Sequence, residues 1–330
     1  MERLQKMKTI QIGKTRGLQE CSSALGKFTI LALDHRNNMR RLLHPENEGL
    51  TTAKEINDFK QQVVRALGCI PSSYLLDPLY SAAQMISMNM FPRDCGMLVA
   101  LEATGYAGNP SSRQSTILPD WSVKKIKKMG ANGVKLLVYY HPEAVTHRDI
   151  ECLVEKTAEE CVDADIPLFL EILTYPLDPD RKRLVGKERF EVITESAQRL
   201  TPLGADVLKA EFPLDISQGE DEQEWQQACR TLTKVSPIPW ILLSASVDFD
   251  VYFKQVMAAC LGGASGVAVG RAVWKEATDL HDAEQTQFLE SVARERMLKI
   301  ADWVESRAES WHSYFDPVSV DENWFRIYDE

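Results

Sequence analysis

Lys209 stands in Asp206-Val-Leu-Lys-Ala-Glu-Phe-Pro213, a short apolar run interrupted by a lysine. A bare ammonium in such a place is costly, so it is either paired with a carboxylate or held with a depressed pKa. The second state is what an amine needs to attack a carbonyl carbon and form a Schiff base. On an extended strand Lys209 and Glu211 share one face, while Leu208 and Ala210 face away. Lys135, in Gly133-Val-Lys-Leu-Leu137, is a second cation in an apolar run. It either depresses the pKa of a neighbouring amine or binds an anionic substrate. The competing reading is an ion pair with Asp34 or Glu102. Glu171, in Leu168-Phe-Leu-Glu-Ile-Leu173, has apolar neighbours on both sides. Burial would raise its pKa toward neutrality, as general acid–base work requires. Its competing reading is a carboxylate that only neutralises a lysine.

A second group of residues suits an anion. Ser244-Ala-Ser246 supplies hydroxyls and backbone N–H groups at the end of one run, and Gly266-Val-Ala-Val-Gly-Arg271 ends another. Gly270 permits close backbone approach, and Arg271 can pair with phosphate oxygens. The alternative is that Gly262, Gly263, Gly266 and Gly270 serve only turns and tight packing. Arg36 and Glu102 join the expected substrate-binding set from the ends of two further runs. A catalytic metal would need clustered His and carboxylate ligands. The six histidines form no close-spaced pair on one helix, and only His35 and His141 fall near strand ends, so no metal is expected.

Eight short apolar runs must position these groups: 28–34, 73–77, 96–102, 133–140, 167–173, 206–212, 240–246 and 266–271. Near-continuous apolar runs are expected of parallel strands buried on both faces. Helix-period stretches lie between them at 53–67, 122–129, 147–163, 188–200, 221–235 and 252–261, with 80–95 less clearly helical. Eight strands alternating with helices predict a (β/α)8 TIM barrel, with an N-terminal extension and C-terminal helices. The barrel core spans about 25–275 of a single 1–330 domain, and 276–330 forms the helical extension. A doubly wound sheet would want a Gly-rich turn after the first strand, where this chain has Asp34-His-Arg-Asn-Asn38. Barrel chemistry sits at the C-terminal ends of the strands, and phosphate commonly binds after strands seven and eight. Seven of the eight runs finish with an ionisable residue (Asp34, Asp77, Glu102, Lys135, Glu171, Lys209 and Arg271 among them), which predicts one active-site mouth.

The formal net charge of −10 argues against a nucleic-acid surface. No apolar run approaches the ~20 residues of a membrane helix, and the opening residues lack the apolar stretch of a secretory signal. Seven scattered cysteines without a Cys-x-x-Cys pair read as reduced thiols, hence a cytoplasmic location.

The motifs Ala32-Leu-Asp-His-Arg36, Leu75-Leu-Asp-Pro-Leu-Tyr80, Leu101-Glu-Ala-Thr-Gly-Tyr106, Val134-Lys-Leu-Leu-Val-Tyr-Tyr140, Phe169-Leu-Glu-Ile-Leu-Thr-Tyr175, Val207-Leu-Lys-Ala-Glu-Phe-Pro213, Leu243-Ser-Ala-Ser246 and Gly270-Arg-Ala-Val-Trp274 together resemble the class I tagatose-1,6-bisphosphate aldolase family. The resemblance covers roughly residues 25 to 275. It implies a metal-independent retro-aldol cleavage through a covalent lysine imine with no other cofactor. The products would be dihydroxyacetone phosphate and glyceraldehyde 3-phosphate. By position, Lys209 resembles the Schiff-base lysine and Glu171 the proton-transfer residue. Asp34 and Lys135 resemble the groups at the sugar hydroxyls and reacting centre, and Ser244, Gly270 and Arg271 the phosphate site. The chain departs from the family pattern at His35, where Gln is more usual, and at Ser246, where the motif usually ends in Gly. Its seventh and eighth strands also resemble the sulfofructose-phosphate aldolases. The alternatives are therefore an aldolase or transaldolase for another phosphorylated or sulfonated keto sugar, or a sugar-phosphate sensor without turnover. The expected partner is a phosphorylated sugar, with no nucleic acid or membrane and with homo-oligomerisation open.

Two excursions at the mouth could act as lids. The loop 175–189 carries Arg181, Lys182, Arg183, Lys187 and Arg189, and 104–118 carries Arg113. Both have the alternative reading of a solvated loop. The stretch 282–310 predicts one or two helices on the barrel exterior. The aromatic end 324–328 would dock on the barrel or on a partner subunit.

Overall fold

Each of the eight runs forms a strand in the computed structural model, which describes residues 8–328 apart from 217, 218, 220, 246, 317 and 327. The strands are β1 (Phe28–Ala32), β2 (Ser73–Leu76), β3 (Gly96–Ala100), β4 (Gly133–Tyr140), β5 (Leu168–Thr174), β6 (Val207–Ala210), β7 (Trp240–Leu243) and β8 (Gly266–Val269). Each pairs in parallel with the next, and β8 closes on β1 to give an eight-stranded barrel. Most strand residues are buried because the inner face packs on itself and the outer face lies under helices. Closure brings β8 so near β1 that a Cβ on Gly266 (φ +143°) would lie 1.9 Å from the Phe28 carbonyl oxygen, so only glycine fits.

Several strands stop one or two residues before the predicted ends, and the local chemistry shows why. Asp77 Oδ1 accepts the backbone N–H groups of Leu79 and Tyr80, both at 2.8 Å, which folds the chain into a turn straight after β2. The helix Ala53–Leu67 begins at a reciprocal cap. Thr52 Oγ1 accepts the Glu55 N–H while the Glu55 carboxylate accepts the Thr52 N–H. Thr52→Ala should cost about 1 kcal/mol of stability. Denaturant unfolding checks this, and an unchanged midpoint would mean that packing alone sets the helix start.

The N-terminal helix Ile12–Cys21 plugs the end of the barrel opposite the mouth. Its Lys14 Nζ reaches Asp206 Oδ2 at 2.8 Å, and the same oxygen accepts the Leu168 N–H. Asp165 accepts the Gly13 and Lys14 N–H groups, and the Tyr328 hydroxyl contacts that carboxylate too. The aromatic end thus touches its own barrel through the Tyr328 hydroxyl, while Phe325 and Tyr328 stay exposed. The stretch 282–310 forms Asp282–Phe288 and Arg294–Arg307, joined through a π-helical turn at Leu289–Ala293. Among the described residues no helix is long and apolar enough to cross a membrane. All seven cysteines are free thiols.

Candidate active site

The register explains how the site assembles. Glu171 on β5 is the direct partner of Lys209 on β6 and of Leu137 on β4, and all three point into the barrel. Lys209 Nζ donates to Glu171 Oε2 at 2.9 Å, so of the two states open to this lysine the structure has the paired one. Lys135, one inward layer below Leu137, holds three carboxylates at once. Its Nζ lies 2.7 Å from Asp34 Oδ2, 2.7 Å from Glu102 Oε1 and 3.0 Å from Glu171 Oε2. Both ion pairs that compete with the substrate-binding reading of Lys135, to Asp34 and to Glu102, are therefore present, and Glu171 makes the lysine a hub of three carboxylates. Glu102 also accepts the Leu137 N–H at 3.0 Å and lies 3.7 Å from Arg36 Nη2, which itself donates to the Glu102 carbonyl at 2.8 Å.

The charges follow from this packing. Burial alone would lower the Lys135 pKa, but Asp34, Glu102 and Glu171 hold it well above the usual lysine value. Burial would raise Asp34, yet the ammoniums of Lys135 and Lys209 keep it far below the usual carboxylate range. Glu171 corrects the sequence expectation. Burial does push its pKa up, but Lys135 and Lys209 outweigh burial, and the net shift is downward. The resting group is a carboxylate facing two lysines, not an acid kept neutral by apolar neighbours. Asp77 is a second correction to the predicted mouth. Its side chain turns away from the barrel axis to a fully buried contact with Lys60 on Ala53–Leu67, and Ser81 Oγ donates to it at 2.7 Å. It holds the loop after β2 in place.

A cavity of about 260 Å³ opens over these groups at the C-terminal ends of the strands. It is lined by Asp34, Arg36, Glu102, Lys135, Glu171, Lys209, Ser244, Gly270 and Arg271, which are all but one of the residues proposed from sequence. The remaining one, Ser246, lies outside the described residues. On the β7–β8 side, Ser244 Oγ accepts the Gly270 N–H at 3.0 Å. A Cβ on Gly270 would come within 3.1 Å of the His35 ring and 3.2 Å of the Ala32 carbonyl, so the glycine serves tight packing of β8 against the end of β1. Arg271 forms no ion pair among the described residues, and its Nε is buried without a hydrogen-bond partner. Arg36 Nη1 is likewise unpartnered. Each of these two arginines thus keeps an unpartnered guanidinium nitrogen at the cavity wall.

The sequence missed several lining residues. His35 packs edge-on against Trp274, with centroids 5.3 Å apart. Burial, with Arg271 adding to it against the opposing pull of Asp34, lowers its pKa to about 3, so the ring is neutral. Asn37, Asn38, Thr104 and Tyr139 also line the cavity. Only Tyr139 carried a usable signal, since it falls on the same strand face as Lys135. In the loop 175–189, Arg181 pairs with Glu188, Lys187 with Glu191 and Arg189 with Glu211. Three of its five cations are therefore committed, which favours the charged-loop reading over a phosphate clamp. Among the described residues no group of three His, Cys, Asp or Glu side chains is arranged to hold a metal ion.

Residues 28–276 match the model of the DeoC/LacD aldolase family. The tagatose 1,6-diphosphate aldolase of Staphylococcus epidermidis is 31% identical over 319 residues, covering 90% of this chain and 97% of that protein. The enzyme of the same name from Staphylococcus haemolyticus is 32% identical over 285 residues, covering 81% and 87%. Among solved structures, an archaeal fructose 1,6-bisphosphate aldolase superposes with a TM-score of 0.58 at 20% identity, covering 87% of this chain and 99% of that one. The fructose-bisphosphate aldolase from Slackia heliotrinireducens does so with 0.60 at 15% identity, covering 93% and 92%. These two likenesses concern the fold. The family match spans the whole barrel that builds the lysine–carboxylate cluster, and the chain belongs to the DeoC/LacD family of aldolases, which are carbon–carbon lyases.

Proposed function

We propose that this chain is a class I aldolase that cleaves a ketohexose 1,6-bisphosphate, such as tagatose 1,6-bisphosphate, to dihydroxyacetone phosphate and glyceraldehyde 3-phosphate. The observation that carries the reading is the 2.9 Å contact between Lys209 Nζ and Glu171 Oε2 at the floor of the cavity. Proton transfer across that contact leaves a neutral amine beside a neutral acid, and the amine can then add to the C2 carbonyl. Glu171 returns the proton to the carbinolamine oxygen, which leaves as water and generates the iminium. The C4 hydroxyl then gives its proton to the regenerated Glu171 carboxylate as the C3–C4 bond breaks. The bonding pair moves into the iminium as an enamine. Protonation at C3 and hydrolysis release the keto product and restore Lys209. No metal or other cofactor takes part in this sequence.

Lys135 and Asp34 stay ionised throughout and hold the electrostatic setting and the sugar hydroxyls. The anion of the keto half belongs with Arg271, Ser244 and Gly270, at the usual phosphate position of such barrels. Arg36 and Glu102 bind further along the sugar. The names of the staphylococcal relatives support the tagatose substrate.

Borohydride added with dihydroxyacetone phosphate should trap a reduced adduct on Lys209, located by peptide mass spectrometry. An adduct on Lys135, or none, would remove the proposal. Arg271→Ala should raise KM about 10–100-fold with a smaller change in kcat, as expected for a lost charge-assisted contact to a group remote from the bond that breaks. Steady-state kinetics test this; an unchanged KM would place the phosphate elsewhere.

A further inference from the structure

Tyr139 lies two residues beyond Leu137 on β4, on the inner face that carries Lys135. Its register partner on β5 is Leu173, two residues past Glu171. The side chain therefore stands one layer above Glu171 toward the mouth, and it lines the cavity. The ring is held from the outside. Tyr106 meets it edge-on at 5.1 Å, and the Arg113 guanidinium sits 5.6 Å from its centroid. Arg113 also lies 4.6 Å over Tyr106 and 4.5 Å over Tyr175, and its backbone N–H donates to the Tyr175 hydroxyl at 3.3 Å. The hairpin Ala107–Asn109 and Ser112–Gln114 carries Arg113 into this box of three tyrosines. The loop 104–118 is thus anchored across the rim.

The Tyr139 hydroxyl makes no hydrogen bond among the described residues, while its backbone N–H donates to Ser115 Oγ at 2.8 Å. Burial, with the Glu171 carboxylate adding to it, raises its pKa, so the phenol keeps its proton across neutral pH. A fixed ring that lines the cavity and carries a protonated, unengaged hydroxyl is a hydrogen-bond donor lacking its acceptor.

The barrel indicates where that acceptor lies. In the closed order β4 is diametrically opposite β8. A substrate whose keto-half anion sits by β7 and β8, and whose C2 is on Lys209 of β6, must extend past Glu171 of β5 toward β4. We propose that the Tyr139 hydroxyl is a catalytic hydrogen-bond donor to the oxygen on C4, which becomes the aldehyde carbonyl of the released product. This inference rests on the aldolase reading given above. As the C3–C4 bond breaks, the C4 hydroxyl proton passes to Glu171 and negative charge develops on the oxygen. Tyr139 stabilises that charge and keeps its own proton. In the condensation direction the same bond polarises the incoming aldehyde.

Tyr139→Phe tests the hydroxyl alone, because it preserves the ring that Arg113 and Tyr106 pack against. We expect kcat for cleavage to fall about 10²–10³-fold, as on losing one donor to a developing oxyanion. Borohydride trapping of dihydroxyacetone phosphate on Lys209 should continue at the wild-type rate, since that half-reaction never involves C4. Cleavage at the wild-type rate in Tyr139→Phe would overturn the proposal. So would loss of trapping together with cleavage, which would mean that the residue only supports the site. Failure of the wild-type enzyme to be trapped would instead remove the aldolase reading, and this proposal with it.

Discussion

On the proposed mechanism Lys209→Met should remove cleavage, by roughly 10⁴–10⁶-fold in kcat, while leaving the barrel folded. The size of the loss follows from the role: without the amine there is no iminium, and no other group in the cavity can accept the electron pair from the C3–C4 bond. Survival of the fold follows from the contacts. Glu171 keeps its second partner, Lys135, at 3.0 Å, so the substitution does not strand a buried carboxylate. Methionine matches the length of the lysine stem and packs among the same apolar neighbours. Kinetics paired with thermal unfolding measure both halves of this prediction. Activity within tenfold of wild type would exclude Lys209 as the nucleophile. A collapse of stability would show that Lys135 alone does not satisfy Glu171.

Much of this site was legible because strand and residue chemistry point the same way. Lys135, Glu171 and Lys209 each interrupt an apolar run, and a parallel barrel carries the C-terminal ends of all such runs to one mouth. Motif spacing could not reveal which face an end residue presents once its strand has stopped. Asp77 looks like Asp34 in sequence, yet its turn directs the carboxylate outward to Lys60, whereas Asp34 reaches Lys135. Nor could neighbours along the chain give the charge state of Glu171. Its apolar neighbours in sequence suggested a raised pKa, but the groups that decide it come from β4 and β6 across the register. The loops were least legible. Arg113 reads as one cation in a polar stretch, and only the folded chain brings Tyr106, Tyr139 and Tyr175 around it.

Lys135→Met is the opposite case to Lys209→Met, and here stability itself is at stake. Lys135 is the shared partner of Asp34, Glu102 and Glu171, and all three carboxylates are nearly inaccessible to solvent. Removing one partner of a buried ionic cluster typically costs about 3–5 kcal/mol, because the remaining charges lose their compensation but stay desolvated. Lys209 can still neutralise Glu171, and Arg36 lies 3.7 Å from Glu102, so Asp34 loses most. The sign of the pH dependence separates this cause from simple loss of packing. In the wild type, Asp34 and Glu171 have depressed folded pKa values, so their contribution is present above the ordinary carboxylate range and is lost as pH falls toward those lower values. Lys135 has a raised folded pKa, so its contribution is present below the usual lysine value and fades only at strongly alkaline pH. In the variant, burial without the ammonium favours the protonated carboxyl, and the sign reverses. The variant's deficit in melting temperature should then be largest at neutral pH and shrink as pH is lowered toward about 4, where a carboxyl can be buried uncharged. A deficit independent of pH would assign Lys135 a packing role. A deficit that grew on acidification would contradict the ionic hub altogether.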